Sequence, residues 1–261
     1  MDSSLTIYYI ILVITGVLSG FINTIAGGGT LITMPALMFM GMDTKIANAT
    51  NRVSILLAAI VSVRGFDKHG HMPRKHLVAL ITPTLIGALV GSIIASYTPE
   101  RILKYILLAA MISVTIYMIA KPKGLNIPEG TAPYTFTQKP LAWVFLFLTG
   151  VYGGFVQAGV GFILILVLSG YMRYDILKTN AIKVAVTLAY TVVALTVFII
   201  RGQVDWIPGL VLAVGSMIGA YVSVKFAISV NKKILNWIIF ALVALTCIAT
   251  IIKELIPRNT H

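Results

Sequence analysis

The sequence has one cysteine, Cys247, and few charges: only 11% of its 261 residues are Asp, Glu, Lys or Arg. A lone thiol can form neither an internal disulfide nor a CxxC pair, which excludes cysteine-based redox chemistry. Soluble domains carry about 25% charged residues, so this chain lacks the polar surface to face water all round. Acidic residues are missing from the middle of every apolar run. Asp43, Asp67, Glu100, Asp175, Asp205 and Glu254 all lie at run ends or in connectors. A buried carboxylate is the usual proton relay of a membrane pump, so a mechanism that needs one is disfavoured. An enzyme working at membrane depth needs a nucleophile–base set or a metal cluster there. With no embedded histidine and no embedded carboxylate pair, the chain is expected not to be an enzyme and to use no metal or cofactor. His69, His71 and His76 do cluster, but in a basic connector that reads as a solvated loop.

What the sequence has in excess is apolar residues, 58% of the total, with a mean hydropathy of +0.96. They come in long runs, so most helices must face lipid or each other. The expected fold is an all-α polytopic membrane protein. Ten apolar segments can be delimited, at 5–25, 29–42, 45–64, 76–97, 101–120, 141–157, 158–171, 175–200, 206–226 and 232–252. The first is read as a retained helix, because no basic residue precedes it and no cleavage site follows. Two segments, 29–42 and 158–171, are short. Fourteen residues reach only about 21 Å along a helix, less than the ~30 Å of a bilayer core. Each follows a glycine-rich break.

The hydrophilic stretch 121–140, with Pro122, Pro128, Pro133 and Pro140, reads as a linker between a first membrane repeat (1–120) and a second (141–261). The halves resemble each other in order. Val90-Gly91-Ser92-Ile93-Ile94 matches Val214-Gly215-Ser216-Met217-Ile218, Arg101-Ile102-Leu103 matches Lys233-Ile234-Leu235, and Ala26-Gly27-Gly28-Gly29 matches Ala158-Gly159-Val160-Gly161. Five segments per half make the repeats inverted, each with a short broken or re-entrant helix, an architecture common in transporters. Gly87, Gly91, Gly215 and Gly219 form small-xxx-small patterns expected to pack helices tightly. Pro83 and Pro208 are expected as matching kinks.

The net charge of +12 would suggest nucleic acid in a soluble protein. Here the basic residues crowd into connectors, so they are read as setting orientation and no nucleic-acid partner is expected. One connector set holds Arg64, Lys68, Arg74, Lys75, Lys121, Lys123, Lys139, Arg173, Lys178, Lys183, Lys225, Lys232 and Lys233; the other holds Lys45, Arg52, Arg101, Lys104, Arg201, Lys253 and Arg258. The richer set should be cytoplasmic, which puts both termini outside.

Two features could carry chemistry. The breaks Gly27-Gly28-Gly29 and Gly159-Val160-Gly161 each precede a short helix, whose N-terminus offers free N–H donors and partial positive charge. Close helix packing would explain the same glycines. The second feature is a pair of cations inside segments. Asn48, Asn51 and Arg52 lie at helical spacing i, i+3, i+4; Thr179, Asn180, Lys183 and Thr187 lie similarly. Either the cations face a cavity or a partner, or they snorkel to the interface. Two cations beside two helix N-termini would bind an anion strongly. Asn23 and Gln157, just before the breaks, are secondary candidates; they could hold an oxyanion or satisfy broken-helix backbone.

These residues resemble a known family. Ala26-Gly27-Gly28-Gly29, Pro35, Gly41 and Ala47-Asn48-Ala49-Thr50-Asn51, with the weaker copy Gln157-Ala158-Gly159-Val160-Gly161, Thr179-Asn180-Ala181 and Gly202-Gln203-Val204-Asp205-Trp206, look like the sulfite exporter TauE/SafE family of membrane permeases. The resemblance implies a bacterial inner-membrane permease that moves sulfite or small organosulfonates, often outward. It carries substrate contact to the glycine breaks (Gly27, Gly28, Gly29, Gly159, Gly161) and to Asn48, Thr50, Asn51, Arg52, Thr179, Asn180 and Lys183. Phe162 stands where the first repeat has Thr30, and Pro35 has no counterpart, so the halves should not contribute equally. The expectation is alternating access around a central anion site, with H⁺ or Na⁺ as candidate coupling ion and a homodimer as candidate assembly. An anion channel or a permease for another small carboxylate or oxyanion is the rival, and a scaffold role is disfavoured by the paired breaks.

Overall fold

In the computed structural model, residues 3–103 and 130–230 are described, together with 105, 106, 109, 113, 127 and 128. The segment expected at 232–252, most of 101–120 and linker residues 121–126 and 129 lie outside the described residues, as does Cys247. The described part is helical throughout: α1 (Ser3–Ile25), α2 (Thr30–Phe39), α3 (Thr44–Lys68), α4 (Arg74–Tyr97), α5 (Leu141–Phe155), α6 (Val160–Ile165), α7 (Ile176–Ile200) and α8 (Trp206–Ser229). A π-helical turn, Leu166–Tyr171, extends α6. Among the described residues, five stretches are long and apolar enough to cross a membrane: Thr6–Ile25, Thr44–Lys68, His76–Tyr97, Ile176–Ile200 and Trp206–Ser229. Apolar side chains cover much of the outer surface; Ile200 and Val78 are 78% and 76% exposed. A surface like that suits lipid and not water.

Small residues decide which helices touch. On α8, a Cβ at Gly215 or Gly219 would collide with the carbonyls of Val13 and Val17 on α1, and Gly16 and Gly20 of α1 meet Leu212 and Ser216 in return. On α4, Gly87 and Gly91 meet the carbonyls of Phe147 and Val151, while Gly150 and Gly154 of α5 meet Thr84 and Ala88. The expected tight packing is therefore present, and the sequence reading missed its other half, the facing glycines on α1 and α5. Residue numbers rise together along both contacts, so α1 runs parallel to α8 and α4 parallel to α5.

Capping ties the helix ends together. The Thr44 N–H, at the start of α3, donates to Glu100 Oε1 at 3.0 Å, beyond the end of α4. The Asp205 N–H, just before α8, donates to Thr50 Oγ1 at 2.9 Å. The starts of α1, α3 and α8 and the end of α4 therefore lie at one end of the bundle. At the other end, residues 133–137 lie across His76, Leu80, Met172 and Tyr174, over a cleft of about 200 Å³. There the Tyr134 N–H donates to the Met172 carbonyl at 2.8 Å. Arg173 donates to the Tyr134 hydroxyl at 3.2 Å and, by favouring the phenolate, holds its pKa below the ordinary value.

The prolines are not equivalent. Pro83 sits inside α4, where it removes a backbone donor. Pro208 is the third residue of α8, where no intrahelical N–H is needed, so it starts a helix and does not kink one.

The glycine contacts make a prediction. Gly91→Val forces a branched side chain onto the Val151 backbone and should cost about 3 kcal/mol, seen as a lowered melting temperature and poor recovery of monodisperse protein in detergent. Gly170→Ala, with nothing within 4 Å of the new Cβ, should melt like the wild type.

Candidate functional site

A helix that stops inside an apolar medium leaves its last carbonyls without donors. Two helices stop this way, α1 at Ile25 and α5 at Phe155. At both breaks the chain turns through left-handed glycine, Gly27 with φ +90° and Gly159 with φ +73°. Gln157 is also left-handed, φ +63°, which costs a non-glycine residue about 1–2 kcal/mol. The breaks meet. A Cβ on Gly27 would strike the Gly161 Cα, and one on Gly161 would strike the Gly27 Cα. Any side chain here would push the two breaks apart, which is why both positions are glycine.

Arg52 is fully buried, at 0% exposure, and Lys183 is at 1%. Neither reaches a surface, so snorkelling does not describe them. Arg52, on α3 of the first half, donates from Nη1 to the Gly153 carbonyl at 3.0 Å and from Nη2 to the Gly154 carbonyl at 2.6 Å. Both belong to the last turn of α5, in the second half. Asn48 Nδ2 donates to the next carbonyl, Phe155, at 2.9 Å. The guanidinium lies 4.8 Å from the Phe198 ring centroid, a cation–π arrangement. Lys183, on α7 of the second half, donates from Nζ to the Thr24 carbonyl at 2.8 Å and to Asn180 Oδ1 at 3.0 Å. Thr24 belongs to the last turn of α1, in the first half. Each half thus caps the broken helix of the other, and each cation sits where the helix dipole is negative.

Both described ion pairs, Arg74–Asp67 and Lys178–Asp175, lie elsewhere. Among the described residues neither Arg52 nor Lys183 pairs with a carboxylate. Several buried polar atoms around the breaks also lack a partner: Asn48 Oδ1, Arg52 Nε, Gln157 Oε1 and Asn180 Nδ2. Gln157 is otherwise held by Thr191 Oγ1, to which its Nε2 donates at 3.0 Å.

The other candidate residues divide. Asn51 is buried and accepts from Ser54 Oγ at its carbonyl, 2.9 Å. Thr179 donates to the Tyr174 carbonyl at 3.2 Å. Thr50, through Asp205, anchors the loop before α8. Asn23 is half-buried, packed against Gly29. Gly28 lies under the Phe162 ring, which fills the space that a smaller residue would leave open. Sequence reading missed the acceptors, the carbonyls of Thr24, Gly153, Gly154 and Phe155, and the aromatic Phe198. The one available signal was positional, since these carbonyls come just before the glycine breaks.

Arg52→Met leaves the Gly153 and Gly154 carbonyls without donors, at about 1–3 kcal/mol each. A thermal melt in detergent should fall sharply for this variant, and an unchanged melting temperature would remove the capping role.

Comparison with known proteins is consistent across the chain. A "Probable membrane transporter protein ORF9" of Sinorhizobium sp is 27% identical over 252 residues, 96% of this chain and 93% of that protein. "Probable membrane transporter protein YfcA" of Escherichia coli strain K12 is 27% identical over 226 residues, 87% of this chain and 83% of that one. A "Probable membrane transporter protein" of Haemophilus influenzae is 26% identical, covering 87% and 88%. The family described as "Sulfite exporter TauE/SafE" matches residues 12–250. The long apolar helices, the paired glycine breaks and this match over nearly the whole length together place the chain in the sulfite exporter TauE/SafE family of membrane transporters.

Proposed function

We propose that this membrane transporter is a secondary transporter, acting as an exporter, for small sulfur-containing anions such as sulfite or an organosulfonate. One observation carries the reading: two cations, buried at 0% and 1% exposure, stand at the crossing of two broken helices without a carboxylate partner among the described residues. Uncompensated charge in such a place is costly, and an anionic ligand relieves the cost. Sulfonate and sulfite oxygens accept well from ammonium, guanidinium and amide donors.

The architecture suits alternating access. Exchanging the halves maps the α1–α8 contact onto the α5–α4 contact, and it maps the Lys183 cap of Thr24 onto the Arg52 cap of Gly153 and Gly154. Two inverted repeats on either side of the 121–140 linker explain that exchange. The start of α1 and the start of α3 lie at one end of the bundle, so α1 and α2 form a re-entrant hairpin, and α5 and α6 form its counterpart. The halves rock about the crossed breaks. The positive-inside rule supports an orientation with the end crossed by residues 133–137, near Lys139 and Arg173, in the cytoplasm and the termini outside a bacterial inner membrane. With no embedded carboxylate among the described helices, coupling falls to H⁺ carried on the substrate or to Na⁺.

Proteoliposomes test this. Uptake of labelled sulfite or sulfoacetate should saturate and be competed by unlabelled sulfonates more strongly than by acetate. Flux linear in concentration would mean a channel, and stronger competition by carboxylates would replace the substrate class.

A further inference from the structure

Asn48 and Asn180 occupy the same place in the two halves, each five residues past a helix N-cap, Asp43 for α3 and Asp175 for α7. Each lies on the helix that bears the buried cation. Their hydrogen-bond partners nevertheless force them to opposite polarity. The Phe155 carbonyl can only accept, so Asn48 must turn its NH₂ group to it. The Lys183 ammonium can only donate, so Asn180 must turn its oxygen to it. What remains unpaired is therefore fixed by chemistry: an oxygen on Asn48 and an NH₂ group on Asn180. Both residues are buried, at 1% and 0% exposure.

The cations differ in the same sense. Arg52 donates from both terminal nitrogens to carbonyls of α5 and lays its face on Phe198, and its Nε is left unpaired. Lys183 has three N–H donors, and the Thr24 carbonyl and Asn180 Oδ1 take two. One ammonium proton and the Asn180 NH₂ group are left side by side, on residues one helical turn apart.

We infer that the anion-holding subsite is one-sided: Lys183 and Asn180 grip the oxyanion, while Arg52 stays bound to the α5 carbonyls and Asn48, its NH₂ spent on Phe155, leaves only an unpaired oxygen. This deepens the transport reading above and rests on it. The unpaired donors at Asn180 and Lys183, one helical turn apart, match in number two oxygens of a sulfonate or sulfite. The unpaired oxygen of Asn48 cannot serve such a ligand. A substrate that carries a hydroxyl or other donor besides its anionic group gains a contact there.

Equilibrium binding of labelled sulfoacetate to purified full-length protein, with a melting curve on each variant, separates the two roles. Asn180→Asp keeps the acceptor for Lys183, replaces the NH₂ group with an oxygen and adds a negative charge beside the ammonium. It should fold as the wild type does and bind the anion at least about tenfold more weakly, as expected for losing a donor to a charged group and setting a carboxylate beside it. Asn48→Leu gives up the Phe155 cap. It should melt earlier, yet its folded fraction should bind within about threefold of wild type, because that oxygen does not hold the anion. Asn48→Ser is the companion variant should Asn48→Leu not fold, and the same near-wild-type binding is expected. Loss of binding in the Asn48 variants with retention in Asn180→Asp would overturn the one-sided assignment while leaving an anion transporter in place. Wild-type protein that binds neither sulfoacetate nor sulfite would overturn both.

Discussion

Helices that end inside a membrane must find donors for their last carbonyls, and the rest of this structure depends on how that need is met. Lipid offers none, and each orphaned group costs several kcal/mol. The chain breaks two helices and meets the demand across the molecule, with Arg52 and Asn48 on the end of α5 and Lys183 on the end of α1. Breaks, cations and asparagines thus depend on one another. The cations are tolerated in the interior because helix C-termini attract them. The breaks are tolerated because the cations cap them. The two halves, bridged by these bonds and by the glycine-lined contacts of α1 with α8 and α4 with α5, cannot separate without exposing polar backbone to lipid.

That arrangement also creates the conditions for binding. Carbonyl dipoles neutralise a buried cation only in part, and no carboxylate completes the task among the described residues. Residual positive charge and unpaired amide groups remain where Gly27 and Gly161 bring the breaks into contact. A site of this kind is already ordered in the absence of ligand, and pre-organisation of that sort lowers the cost of binding. Alternating access, if the halves move as proposed, would break and remake the cross-half caps. An anion that competes with Thr24 for Lys183 would therefore bias the equilibrium between states.

Much of this was legible in the sequence, and the limits have physical causes. Hydropathy located α1 to α8 because lipid-facing and buried helices are both apolar. Glycine repetition located both breaks, and the matching positions of Arg52 and Lys183 marked the two cations. What they touch could not be read, because their main acceptors are backbone carbonyls, which every residue carries and no side chain advertises. Thr50 entered the candidate set only through the family resemblance. On the helix it points to the loop before α8, where its hydroxyl accepts the Asp205 N–H. The opposite polarity of Asn48 and Asn180 was likewise hidden, since an asparagine reads the same whichever end is spent.

The most direct measurement is an experimental structure of the full-length protein in lipid nanodiscs with sulfoacetate bound. Reciprocal capping with a one-sided subsite predicts anion density within hydrogen-bond distance of Asn180 Nδ2 and Lys183 Nζ, at the crossed glycine breaks, with the Arg52 bonds to Gly153 and Gly154 intact. Density held by Arg52 with those carbonyls abandoned, or bound away from the breaks altogether, would contradict it.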